Sequence, residues 1–82
     1  MKYIVQLRLH PGVKNAAFEY FERRGPNQNP GVELRGAWIG KEADLVFALV
    51  EGDDPQQIQA AGASWKQFGQ FEVYPVTDIE QY

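Results

Sequence analysis

The sequence predicts an α+β fold in which the elements follow the order strand, helix, strand, strand, helix, strand, and three observations support this order. Residues Lys2 to His10 alternate between two sets of side chains, as a strand requires. Leu45 to Val50 is apolar at every position, which is typical of a central strand. Asp54 followed by Pro55 is a start signal for a helix. The length of 82 residues fits a single domain over residues 1–82.

The first strand has one apolar side and one mixed side. The apolar side carries Tyr3, Val5, Leu7 and Leu9, and the other side carries Ile4, Gln6, Arg8 and His10. Pro11 and Gly12 end the strand, and Asn15 can cap the helix that follows. We expect its buried stripe to consist of Ala17, Phe18 and Phe21. The helix ends at a loop, Gly25 to Gly31, that is rich in turn-forming residues.

The second and third strands are joined by a short turn. The extended pattern resumes at Val32 and continues to Ile39, with a bulge expected near Gly36. Gly40 to Ala43 forms the turn before the third strand. That strand has apolar residues on both sides: Leu45, Phe47 and Leu49 on one, and Val46, Ala48 and Val50 on the other. Neither side is therefore suited to face water.

The second helix has a defined start and a continuous apolar stripe. The Asp54 carboxylate can accept a hydrogen bond from the first helical turn, Pro55 occupies a position that needs no N–H, and Gln57 can complete a capping box. The predicted stripe consists of Ile58, Ala61, Trp65 and Phe68. Gln70 to Val76 forms the last strand, and Pro75 places it at a sheet edge or a bulge.

This order of elements is the split β-α-β, or ferredoxin-like, arrangement. Right-handed crossovers place both helices on one face of a four-stranded antiparallel sheet. Nothing in the chain then covers the other face. Two such sheets packed face to face across a two-fold axis would cover each other and would each contribute half of a barrel.

The small size of the chain also favours self-association. A domain of this size buries only roughly 60% of the surface that its unfolded chain exposes. The sequence has no cysteine for a disulfide and no Cys/His pattern for a structural metal. We therefore expect a homodimer or a higher homo-oligomer without a metal site.

Charge and hydropathy exclude two classes of partner. The net charge is -3, and the eight basic residues are scattered, so nucleic acid is not an expected partner. No apolar stretch approaches the roughly 20 residues that span a bilayer, and the N-terminal segment differs from a signal peptide because Arg8 lies within it. We expect a cytoplasmic protein that does not interact with membranes.

Several features from the second strand onward carry a resemblance to a known superfamily. They are Trp38, the Asp53-Asp54-Pro55 opening of the second helix, Trp65, and the segment Phe71 to Val76 in the last strand. With them the chain resembles the dimeric α/β-barrel superfamily of ferredoxin-like domains, and within it most of all a family of short, stand-alone domains of unknown function.

The resemblance implies a homodimer with a small cavity, either between sheet and helices or at the mouth of the barrel. Members of the superfamily include cofactor-free monooxygenases, haem-degrading enzymes, muconolactone isomerases and proteins without a known activity. Fold alone does not choose among these functions. The resemblance supplies no catalytic residues for this chain.

His10 is the candidate catalytic residue because it is the only histidine and lies where the first strand ends. An imidazole there can act as a general base or bind one axial position of a haem. The alternative is a solvated side chain at a strand end, since no orienting carboxylate is identifiable.

The candidate ligand-binding residues are Arg8, Arg35, Trp38 and Tyr74. Arg8 and Arg35 suit an anionic small molecule, and the alternative for Arg8 is an ion pair between subunits with Glu33, Glu51 or Glu72. Trp38 can stack on an aromatic ligand or anchor an interface, and the Tyr74 hydroxyl can polarise a carbonyl. Plain core packing remains the alternative for both aromatic residues.

These residues support three hypotheses for the function. The first is a homodimeric barrel domain that binds a small aromatic or acidic metabolite in a cleft, without a cofactor. The second is a cofactor-free monooxygenase or isomerase in which His10 is the base. The third is a purely structural or interaction domain, and the sequence leaves open whether the chain is an enzyme.

Overall fold

A computed structural model describes residues 1–24 and 29–82. The elements have the predicted order. They are β1 (Lys2–Leu9), α1 (Lys14–Arg24), β2 (Glu33–Ile39), β3 (Leu45–Glu51), α2 (Pro55–Ala63) and β4 (Gly69–Val76), with short 3-10 helices at Lys66–Phe68 and Ile79–Gln81. The predicted loop from Gly25 to Gly31 falls largely outside the described residues. No helix within the described ranges is long and apolar enough to cross a membrane.

The four strands form one antiparallel sheet in the order β2-β3-β1-β4. The central position predicted for the third strand is confirmed, because β3 lies between β2 and β1. The edge position predicted from Pro75 is also confirmed, because β4 pairs only with β1. The α+β, ferredoxin-like fold with both helices on one sheet face is therefore correct.

The core lies between the sheet and the helices, on the side that the alternation in β1 predicted. Tyr3, Leu7 and Leu9 are buried there. They belong to two adjoining apolar clusters, which are centred on Ile58 of α2 and on Ala17 of α1. Ile58 is the one fully buried large side chain among the described residues.

The helix α2 begins as predicted but ends earlier. The Asp54 carboxylate accepts a hydrogen bond of 2.9 Å from the Gln56 N–H, whereas the Gln57 side chain lies against Gly31 and does not complete the capping box. The Ser64 hydroxyl donates to the Ala61 carbonyl at 2.6 Å, a local hydrogen bond that competes with helix continuation.

The predicted helix to Phe68 is therefore wrong. Trp65 and Phe68 lie in the tighter turn and 3-10 helix beyond Ala63, where the Trp65 N–H bonds to the carbonyl of Gly62. Residues three apart overlap in a 3-10 helix, so both rings still face the core.

Two details of α1 also differ from the sequence prediction. The helix begins at Lys14, so Asn15 lies inside its first turn and does not cap it. Ala17 is buried as predicted, but Phe18 is 51% exposed. The reason is that α1 stands away from the strands along this side, whereas α2 packs directly on β1 and β4.

Candidate functional site

An apolar cavity of about 200 Å³ lies between α1 and the sheet. Small residues on four elements create it: Ala17 on α1, Ala37 on β2, Ala48 on β3, and Ala61 and Gly62 on α2. Ala37 and Ala48 are direct partners across two strands. Interiors are otherwise close-packed, so short side chains that meet in this way leave free volume.

Aromatic rings hold one wall of the cavity in place. The ring of Trp65 packs edge-on against Tyr20 of α1, with 5.1 Å between the centroids and 86° between the planes. Phe68 lies 5.2 Å from Tyr20 and 5.8 Å from Trp65. Such pairs contribute about 0.5–1.5 kcal/mol each beyond the area they bury. The cluster ties α1 to the segment after α2 and keeps the cavity from collapsing.

The cavity opens between α1 and the edge strand β2. Its exposed rim includes Phe18 and Ile39, which have 51% and 40% of their surface accessible. Among the described residues, Arg24 and Asn29 are the only polar side chains that line it. The Arg24 Nη1 donates to the Tyr20 hydroxyl at 3.2 Å, and the guanidinium lies 5.4 Å from the centre of that ring.

The opposite face of the sheet, which we name the open face, is covered by neither α1 nor α2. Two rows of paired residues cross it: Trp38, Phe47, Gln6 and Glu72 in one row, and Gly36, Leu49, Ile4 and Tyr74 in the next. The Trp38 indole lies against Gly36, where a Cβ would fall 2.8 Å from the ring. The open face is thus apolar from β2 to β3 and at Ile4 of β1, and it becomes polar towards β4, at Gln6, Glu72 and Tyr74.

The open face carries three of the residues that the sequence analysis selected. Trp38 lies on one edge strand, Tyr74 lies on the other, and Arg8 lies on β1, where its partner on β4 is Gln70. Three strand spacings, roughly 14 Å, separate the edge strands. Trp38 and Tyr74 of one chain therefore do not lie next to each other on the open face.

The Tyr74 hydroxyl donates a hydrogen bond of 2.7 Å to the Glu72 carboxylate. This bond raises the pKa of Tyr74 above its ordinary value, because loss of the hydroxyl proton would remove the donor and leave two negative charges together. The Arg8 side chain forms no hydrogen bond or ion pair with any residue in 1–24 or 29–82, and its positive charge partly offsets the rise in the pKa of Tyr74. It borders a shallow polar groove with Gln6, Lys66 and Gln70.

Arg35 lies apart from these residues, in a bulge of β2. The pairing with β3 shifts by one residue between Leu34 and Gly36, which is the irregularity expected near Gly36. The Arg35 guanidinium pairs with Glu33 at 3.3 Å and with Glu51 at 2.9 Å. Two of the carboxylates considered as partners of Arg8 are therefore engaged within the chain.

His10 follows the last residue of β1 and is exposed. Its backbone N–H donates to the Phe68 carbonyl at 2.8 Å, and its side chain is not part of the cavity lining. The described residues contain no group of three or more His, Cys, Asp or Glu side chains that could hold a metal ion. The structure therefore separates His10 from the cavity.

The resemblance implied a small cavity, but sequence reasoning identified neither the alanines that form it nor Arg24. The available signal was three alanines, at positions 17, 48 and 61, where the pattern of core-facing residues otherwise has large apolar side chains. Because these positions lie on different elements, their coincidence becomes visible only when the register of the strands is known.

The amino-acid sequence matches a known protein family. The family described as a domain of unknown function, DUF3303, matches residues 1–82. The chain belongs to the DUF3303 family. No curated protein matches the sequence.

Two solved structures resemble this DUF3303 domain. An uncharacterized NIPSNAP domain protein from Burkholderia xenovorans superposes with a TM-score of 0.62 at 17% identity, over 95% of this chain and 94% of that chain. A putative antibiotic biosynthesis monooxygenase from Chloroflexus aurantiacus J-10-fl gives a TM-score of 0.53 at 20% identity, over 94% and 93%. At these identities the likeness shows the fold alone. The ferredoxin-like fold and the resemblance to a family of domains of unknown function are confirmed.

Proposed function

We propose that this DUF3303 domain is a homodimer that binds a small, largely apolar or aromatic metabolite in the cavity between α1 and the sheet. The cavity itself is the observation that carries the proposal. An engineered apolar cavity of about 150 Å³ is enough to bind benzene. A volume of about 200 Å³ therefore suits one ring with a short substituent.

The homodimer is proposed from the composition of the open face. Its central residues, Ile4, Phe47 and Leu49, are neighbours on two adjacent strands, and Trp38 flanks them with 57% of its surface exposed. Contiguous apolar surface of this kind marks an interaction site. A second copy is the occupant that fits, because two identical twisted sheets can pack face to face across a two-fold axis. Trp38 and Tyr74 would then be interface residues, and Arg8 would lie beside the interface.

The chemistry of the lining favours binding over catalysis. The described residues that line the cavity include no carboxylate, imidazole or thiol, so none of them is a general base at neutral pH. His10, the base in the monooxygenase or isomerase hypothesis, lies outside the lining. Oxygen uptake or isomerisation that is lost in His10→Ala would support that second hypothesis.

A cavity-filling variant tests the binding proposal. Ala48→Leu places three more carbon atoms in the cavity, and Ala60→Leu adds the same atoms on the exposed side of α2 as a control. Thermal shift and calorimetry with a panel of small aromatic compounds and acids should detect ligands for the wild type and for Ala60→Leu, but none for Ala48→Leu. Equal binding by all three proteins would show that the cavity is not the site, and no stabilisation by any compound would count against a ligand-binding role.

A further inference from the structure

Arg24 occupies an unusual position for a charged residue. It is the last residue of α1, it is half-buried, and it lines a cavity whose other described residues are apolar except for Asn29. Its neighbour Arg23 is exposed and is not part of the lining. A cation at the edge of an apolar cavity is stabilised when an anion accompanies it.

The interactions of Arg24 leave most of its hydrogen-bonding capacity for a ligand. A guanidinium has five N–H donors, and the described residues accept one hydrogen bond from it, at the Tyr20 hydroxyl. The Tyr20 ring packs on the guanidinium and fixes its orientation. No carboxylate of the described residues forms an ion pair with Arg24. The guanidinium is thus held in place by neutral contacts, with N–H groups left for an anion.

We propose that the ligand of the cavity is an amphipathic monocarboxylate, whose apolar part fills the space between α1 and the sheet and whose carboxylate binds Arg24. This inference rests on the proposed cavity function and adds the chemical class of the ligand. A carboxylate matches the guanidinium fork with two parallel hydrogen bonds, and the Asn29 amide at the same lining can donate a third. The volume of about 200 Å³ suits an aryl-alkanoic acid or a short fatty acid.

If Arg24 binds the carboxylate, the protein should bind an acid more tightly than the alcohol with the same carbon skeleton. Charge-assisted hydrogen bonds are stronger than neutral ones, and Arg24 is only half-buried, so water weakens the gain. We expect 3-phenylpropanoate to bind about tenfold more tightly than 3-phenylpropan-1-ol, and octanoate to exceed octan-1-ol by a similar factor. The preference should shrink with added salt, because an ion pair is screened and apolar burial is not.

Isothermal titration calorimetry of these four compounds tests the proposal with the wild type, Arg24→Gln and Arg23→Gln. The wild type and Arg23→Gln should prefer the acids, and Arg24→Gln should bind acid and alcohol equally, with the affinity for alcohol retained. Equal affinities in the wild type, or an acid preference that persists in Arg24→Gln, would overturn the role of Arg24 while the cavity function stands. If neither acid nor alcohol binds the wild type, the cavity function itself fails. The salt dependence in the wild type tests the ion pair without a variant, because an unchanged acid preference at high salt would contradict it.

Discussion

Ala37 on β2 and Ala48 on β3 are direct partners across the sheet, and both line the cavity. A pair of larger side chains at these two positions would close most of the space beneath α1. The cavity is therefore a consequence of register, because a shift of one residue in either strand would separate the two alanines.

The proposed dimerisation through the open face should be lost when a charge is placed at its centre. Leu49 is a neighbour of Ile4 on the adjacent strand, so Leu49→Glu would bring two carboxylates into the apolar centre of a dimer. Sedimentation velocity at micromolar concentration should give a dimer for the wild type and a monomer for Leu49→Glu. Gln59→Glu, on the exposed side of α2, is the charge-matched control and should remain dimeric. A monomeric wild type would contradict the proposed association.

Substitution of Gly62 should be destabilising, although helix propensity alone favours alanine. Propensity predicts a gain of about 1 kcal/mol in the free energy of unfolding for Gly62→Ala. A Cβ at this position would fall 2.5 Å from Cδ2 of Phe71, and such overpacking costs typically 1–3 kcal/mol. We expect a net loss of about 1 kcal/mol in urea denaturation. Ala60→Gly on the exposed side of α2 measures the propensity effect by itself, and a more stable Gly62→Ala would show that α2 is free to move away from the sheet.

The N-cap residue Asp54 should stabilise α2 more than the neighbouring Asp53 does. Asp54→Ala removes the acceptor of the Gln56 N–H and should lower the free energy of unfolding by about 1 kcal/mol. Asp53→Ala removes an adjacent carboxylate whose only ion pair among the described residues is a 3.9 Å contact between exposed groups. Its effect should be much smaller, because surface ion pairs contribute little. Equal losses in the two variants would mean that charge near the helix, and not the specific hydrogen bond, stabilises α2.

Titration of Tyr74 should depend on Glu72. The pKa of Tyr74 is raised in the folded chain by the hydrogen bond to Glu72, so the folded state holds the phenolic proton more tightly than the unfolded state does. The corresponding stabilisation is fully present below the unfolded pKa and is lost as the pH rises through the folded pKa. In Glu72→Gln the pKa of Tyr74 should fall towards its ordinary value, as followed by the carbon NMR signal of the tyrosine ring. Glu80→Gln is the control, and an unchanged Tyr74 titration in Glu72→Gln would contradict the hydrogen bond as the cause.

The order of elements was predictable because its signals are local. The alternation in β1, the Asp54-Pro55 start of α2 and the fully apolar β3 each depend on neighbours in sequence. The end of α2 was not predictable. The local hydrogen bond of Ser64 ends the helix before Trp65, but the apolar spacing of three and four continues unchanged through the 3-10 turn and so does not show this end.

The candidate site was less predictable because it depends on which strands are neighbours. The alternation placed Arg8 on the mixed side of β1, but only the strand order shows that Trp38 and Tyr74 lie on opposite edges of the sheet. Arg24 appeared in the sequence as one of two adjacent arginines at a helix end. The structure distinguishes them, because Tyr20 lies one helical turn before Arg24 and binds its guanidinium.

The bulge at Arg35 determines on which face of the sheet each side chain from Gly36 to Ile39 lies. With strict alternation from Leu34, the Trp38 indole would project towards the helices, and Ala37 and Ile39 would project away from them. The extra residue reverses this parity, and its ion pairs with Glu33 and Glu51 hold it in position. A one-residue irregularity at the margin of the sheet thus places the bulky Trp38 ring on the open face and the small methyl group of Ala37 at the cavity.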